Sequence, residues 1–120
     1  MTTNEQGGTA IADASTTTGA SMSSPGTPTR SGYTFNGWFT ASSGGSAISF
    51  PYTHGQTANF TLYAQWTANT LTVTYDSQGG SAVSNGSTTT GASMSHPGTP
   101  TRSGYTFNGW FTASSGGSAI

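Results

Sequence analysis

Residues 15–48 read STTTGASMSSPGTPTRSGYTFNGWFTASSGGSAI, and residues 87–120 repeat them at an offset of 72 with one change, Ser24 against His96. A fixed period of this size marks a repeat architecture, in which one supersecondary unit recurs along the chain. The match extends more loosely upstream, where Asn4-Glu5-Gln6-Gly7-Gly8 aligns with Asp76-Ser77-Gln78-Gly79-Gly80. Outward from the repeat the copies differ. Ser49–Trp66 (SFPYTHGQTANFTLYAQW) follows only the first copy, and Leu71–Tyr75 (LTVTY) precedes only the second. The spacing therefore divides the chain into a first unit at 1–66 lacking its first strand, a linker at 67–70, and a second unit at 71–120 lacking its last strands. Either the stretch belongs to a longer array, or its ends are completed by other chains.

Periodicity within one unit favours strands. Leu71, Val73 and Tyr75 alternate with Thr72 and Thr74, while Phe60, Leu62, Ala64 and Trp66 alternate with Thr61, Tyr63 and Gln65. A period of two places one apolar set on a single face of a half-buried strand. In GYTFNGWFT (32–40), Phe35 and Trp38 share a face only if an extra residue intervenes, which makes Gly37 the mark of a bulge. A tight Asn36-Gly37 hairpin turn is the alternative, weakened by arms too short to stand alone. Pro25-Gly26-Thr27-Pro28 and its copy at 97–100 punctuate a turn, and Ser42-Ser43-Gly44-Gly45 reads as a surface loop. No helical apolar stripe exceeds a turn or two, so the expected fold class is mainly β, α+β at most, with little helix.

Composition narrows the function. Charged residues make up 4% of the chain, with no Lys, where an ordinary soluble domain has about 25%. So few cations cannot neutralise a run of phosphates, which excludes nucleic acid as a partner. No apolar run approaches the roughly 20 residues needed to span a bilayer, and no basic cluster offers a dock for anionic lipid. Ser, Thr and Gly supply solubility in place of charge, which suits an extracellular or cell-surface setting. The start, Met1-Thr2-Thr3-Asn4-Glu5, has neither the basic nor the apolar region of a secretory signal. With no cysteine, disulfides and thiolate sites are impossible.

Four motifs carry a resemblance. They are YDSQGGS (75–81), PTRSGYTFNGWFT (28–40 and 100–112), a Gly-Gly loop, and LYAQW (62–66). In that order the chain resembles the Listeria-Bacteroides repeat, also called the internalin B-repeat, over nearly its whole length. The resemblance implies tandem β-grasp-like units of about 70 residues, strung on secreted or wall-anchored bacterial proteins as stalks, spacers and adhesive modules. The near-absence of charge departs from relatives that place Lys and Asp in their loops, so no charged ligand is carried over.

Candidate chemistry is sparse. His54 and His96 are the only imidazoles, and neither has an acidic neighbour in sequence, so both read as solvated loop residues. A metal site needs three or four ligands, and neither metal nor cofactor is expected. Asp13 and Asp76 occupy non-equivalent positions and make no convincing dyad, so no catalytic residue is assigned and no enzyme is expected. Gly79-Gly80 and Gly44-Gly45 lack the GK[ST] of a phosphate loop and read as turns. The Asn59-Phe60-Thr61 and Asn85-Gly86-Ser87 sequons are short, promiscuous patterns in a chain of bacterial type. Without Lys, no Lys-Asn isopeptide cross-link can form.

The aromatic side chains offer either a sugar-stacking platform or a core. A unit of this size without disulfide or metal needs nearly all of them inside, at about 1.5–3 kcal/mol for each large side chain buried. The expected structural core is Tyr33, Phe35, Trp38, Phe60, Leu62, Trp66, Leu71, Val73, Tyr75, Tyr105, Phe107 and Trp110, with Tyr52 and Tyr63 the most exposed aromatics. The leading functional expectation is a structural or adhesive tandem-repeat module acting as stalk or spacer, whose partners are neighbouring repeats or copies of itself. A filament subunit joined by strand complementation and a module binding a host surface protein or glycan are the alternatives.

Overall fold

The computed structural model describes all 120 residues and contains strands without helix. The fold is mainly β. Seven strands run in chain order: β1 (Thr2–Asn4), β2 (Ser21–Met22), β3 (Tyr33–Phe39), β4 (Tyr52–Thr53), β5 (Thr61–Ala68), β6 (Thr70–Val73) and β7 (Gly86–Thr89). They fall into two compact units, Met1–Asn69 and Thr70–Ile120. Of the stretch read as a linker, Thr67 and Ala68 belong to β5 and Thr70 opens β6, leaving Asn69 alone between strands.

The first unit is organised by β5. It lies at the centre of a three-stranded sheet of order β1-β5-β3, parallel to β1 and antiparallel to β3. Strict alternation explains its role: Leu62 and Ala64 are fully buried, and Phe60 and Trp66 pack beside them. Thr2–Asn4 supply a short first strand where the sequence reading expects none, because β5 offers them an edge to pair with.

The β3–β5 register contains the bulge. Phe35 opposes Trp66 and Gly37 opposes Gln65, leaving Asn36 as the extra residue. The hairpin alternative is thereby set aside. Gly37 sits at φ 118°, which an L side chain rarely adopts, and a Cβ there would lie 3.1 Å from that of Ala47. The extra residue brings Phe35 and Trp38 to one face, with ring centroids 5.7 Å apart in a T-shaped contact. Trp38 is 2% exposed, and its indole N–H donates to the Gly26 carbonyl at 2.9 Å. Met22 completes the buried cluster, held by the short β2–β4 pairing with Tyr52.

The second unit contains one strand pair, β6 with β7. Residues 105–111 have the sequence of β3, letter for letter, and yet form no strand, because residues 70–120 contain no counterpart of β5 to pair with. Three expected core residues consequently differ from the reading: Leu71 is 49% exposed, Tyr105 66% and Phe107 37%. Among residues 70–120 no strand pairs with Tyr105 and Phe107 as β5 pairs with Tyr33 and Phe35. Val73, Tyr75 and Trp110 are half-buried, as are Tyr33, Phe35, Phe60 and Trp66 in the first unit.

Candidate functional site

The candidate site is the position packed by β5 in the first unit, whose scaffold recurs in the second. In the first unit the filling segment is Ser49–Asn69, which contains β4 and β5. Its polar contacts are specific. Gln6, held at φ 47°, donates from Nε2 to the Ala64 carbonyl at 2.6 Å and the Ser42 carbonyl at 3.0 Å. The Trp66 indole N–H donates to the Glu5 carbonyl at 2.8 Å, and Gln65 Nε2 reaches the carbonyls of Ala41 and Gly44 at 3.1 and 2.9 Å. Asn36 and Thr67 join side chain to side chain across the bulge.

His54 belongs to the same segment and corrects the sequence reading of a solvated loop residue. It is 2% exposed, with its ring 4.9 Å from that of Phe60. Its Nδ1 accepts from the Gln56 N–H at 3.2 Å, which assigns the proton to Nε2, facing Thr16 Oγ1 at 3.0 Å. Burial is tolerated because both ring nitrogens have partners. The sequence hid this, since Thr16 lies 38 residues away. Met22, Phe39, Ala64 and Pro28 are further buried residues outside the expected core, and only Ala64 carried a signal, through its place in the β5 alternation.

The second unit keeps the scaffold bonds of this site. The Trp110 indole donates to Gly98 at 3.0 Å, the Ile120 N–H to Trp110 at 2.8 Å, and Gln78 Nε2 to Ser114 at 3.0 Å. Each repeats a first-unit bond 72 residues earlier. Arg102 lies over Tyr105 at 3.7 Å, as Arg30 lies over Tyr33 at 3.7 Å. Even the one substitution preserves its bond: Gly98 N donates to His96 Nδ1 where Gly26 N donates to Ser24 Oγ. An open groove of about 390 Å³ includes Tyr75, Gly86, Met94 and His96 in its lining.

The remaining polar side chains serve the fold. Asp76 accepts from the Gln78 N–H at 2.9 Å, as Asn4 does from Gln6 at 3.0 Å, and both bonds hold a non-glycine residue in a left-handed turn. Asp13 accepts from the Thr3 N–H at 3.3 Å. A 2.6 Å hydrogen bond from the Thr3 hydroxyl, assisted by the Ile11 N–H, holds the Glu5 carboxyl below its ordinary value against the opposing effect of burial. No group of three or more His, Cys, Asp or Glu side chains converges as a metal site would require. No helix is long and apolar enough to cross a membrane.

The sequence profile of the Listeria-Bacteroides repeat domain matches residues 2–65 and again 71–120. The chain belongs to the Listeria-Bacteroides repeat family. Similar members include Internalin H of Listeria monocytogenes serovar 1/2a, 39% identical over 105 residues, covering 86% of this chain and 19% of that protein. A protein named as a Gly-rich membrane protein of Evansella cellulosilytica is 32% identical over 105 residues, covering 88% of this chain and 12% of the relative. This Listeria-Bacteroides repeat pair thus spans less than a fifth of the length of these relatives. No solved structure matches it. The two matched segments coincide closely with the two compact units, so the structural and the family periods agree.

Proposed function

We propose that this chain is a structural, non-enzymatic repeat module of a secreted or cell-surface bacterial protein, serving as stalk or spacer. The observation that carries the reading is the recurrence of the same intra-unit hydrogen bonds 72 residues apart, down to the turn retained across Ser24 and His96. Repeat units that each carry their own internal bonds and stack on their neighbours extend a chain in regular steps. Kinship with Internalin H and with membrane-named bacterial proteins supports the surface setting.

The test is small-angle scattering of arrays containing two, four and eight copies of the 72-residue period. A stalk predicts a maximum dimension that grows linearly with copy number. Growth no faster than the cube root of mass would mean collapsed arrays and would sink the reading. A glycan or host-protein platform is less well supported, because the exposed Tyr105 and Phe107 correspond to Tyr33 and Phe35, which lie beside β5 in the first unit.

A further inference from the structure

We infer that the first unit carries a ligand site around Arg30, and that its ligand is a carboxylated sugar of an acidic glycan. The inference adds a ligand to the repeat reading above and stands or falls apart from it. It concerns a cation and two amide oxygens rather than the exposed faces of Tyr105 and Phe107.

Arg30 and Arg102 are the only Arg or Lys residues of the chain, and the placement of Arg30 is fixed. Its guanidinium lies over the Tyr33 ring at 3.7 Å, while its carbonyl accepts from the Tyr33 N–H at 3.1 Å. Gly7, at φ 94°, clears the path, since a Cβ there would lie 3.1 Å from Nε of Arg30. Stacking occupies a face of the guanidinium and leaves the N–H groups around its edge free to bond. No carboxylate of the chain takes them. Glu5 is engaged by Thr3 and Ile11, Asp13 by the Thr3 N–H, and Asp76 by the Gln78 N–H. The result is a half-buried, oriented cation without an internal counter-ion.

The surroundings of this cation select the ligand. Gln6, Ser42, Ser43, Gln65 and Trp66 join Arg30 in lining an open depression of about 290 Å³. That is the small end of the about 300–1,000 Å³ of ligand pockets, the scale of one sugar ring. Gln6 Nε2 donates to the carbonyls of Ala64 and Ser42, and Gln65 Nε2 to those of Ala41 and Gly44. Both amide hydrogens of each side chain are thereby used, which fixes the orientation of the amide and leaves its Oε1 as an acceptor. Main-chain carbonyls hold both amides, so the arrangement is set before any ligand arrives.

A cation beside two fixed acceptors calls for a carboxylate and hydroxyl donors on one small frame. A uronic acid has both. Its carboxylate pairs with the guanidinium through two parallel N–H bonds, its ring hydroxyls donate to the amide oxygens, and its C–H groups lie against Trp66. A sulfate ion, or the side chains of an acidic peptide, would bring the charge without the hydroxyls. Part of the arrangement recurs in the second unit, where Arg102 lies over Tyr105 at 3.7 Å and Gln78 Nε2 donates to Ser114 at 3.0 Å. Residues 70–120 contain no counterpart of Gln65 or Trp66, so the complete lining belongs to the first unit.

The probe is tetragalacturonic acid, titrated into the isotope-labelled 120-residue chain and followed by NMR at the Arg30 Nε–H, the Trp66 indole N–H and the side-chain amides of Gln6 and Gln65. Saturable shifts at these groups are expected at about 1 mM. The methyl ester of the tetramer keeps the hydroxyls and loses the charge, and a tetraglutamate peptide keeps the charge and loses the hydroxyls; each should bind about tenfold more weakly. Arg30→Gln should cost about the same factor, whereas Arg102→Gln, with the same change in net charge, should leave binding unaltered. Should Arg30→Gln unfold the first unit, the ranking of tetramer, ester and peptide on the native chain still decides. No saturable shift by about 10 mM tetramer, binding of ester or peptide equal to that of the tetramer, or equal losses in the two Arg variants would overturn the inference. Each of these leaves the stalk reading standing, which is tested by the scattering of the arrays.

Discussion

The indole N–H of Trp66 donates to the main-chain carbonyl of Glu5 across 61 residues of sequence, and Gly8 leaves the gap through which the indole reaches it. This bond ties the last aromatic of β5 to the turn after β1. The counterpart glycine, Gly80, bears no such load.

Gly8→Ala should therefore destabilise the first unit by about 1–3 kcal/mol, through a methyl driven into Trp66. Gly80→Ala should be close to neutral in the free chain, asking only a small shift of its neighbours. Thermal unfolding of the two variants, followed by tryptophan fluorescence, compares them directly; equal losses would mean that Gly8 does not owe its identity to the indole.

Leu62→Ala removes a side chain with no exposed surface and should cost about 2–5 kcal/mol. Leu71→Ala, at a residue 49% exposed, should cost within about 0.5 kcal/mol. Urea unfolding of both variants reads the difference as a shift in midpoint for the first and almost none for the second.

At the bulge, Gly37→Ala combines a disfavoured φ with a close approach to Ala47, and a loss of about 1–3 kcal/mol is expected. Gly109→Ala has the same φ of 118° and an Ala119 Cβ at 3.0 Å, so its local strain is equal, but no paired sheet is disrupted. The urea midpoint of the first unit should fall for Gly37→Ala and stay put for Gly109→Ala.

Glu5 links stability to acid. Its folded carboxyl is held below the ordinary 4.5 by the Thr3 hydroxyl first, so the unfolded chain takes up the proton at higher pH than the folded one. The stabilisation is fully present above pH 4.5 and is lost as pH falls through the lower folded value. Melting of the first unit in the native chain should fall more steeply below that pH than in Glu5→Gln. Parallel curves would remove Glu5 from the acid response.

Much of this was legible in sequence, and the limit was physical. The β5 strand, the bulge at Asn36-Gly37 and the family period all follow from local alternation and spacing, which a chain displays along its own length. Burial of His54 was not legible, because its partner Thr16 is remote and nothing local distinguishes a satisfied imidazole from a solvated one. Exposure of Tyr105 and Phe107 was missed for a related reason: Tyr33–Phe39 and Tyr105–Phe111 are identical heptapeptides, and only the presence of β5 beside the first makes it a strand. Propensity proposes strand at both places, and pairing decides.

That contrast is open to one direct measurement, native-state hydrogen exchange resolved by residue across the two heptapeptides. The account predicts that amides in Tyr33–Phe39 and in β5 are protected to the level of unfolding of the first unit, while those in Tyr105–Phe111 exchange far faster through local opening. Equal protection of the two identical stretches would contradict it, since β5 would then not be what turns this sequence into a strand.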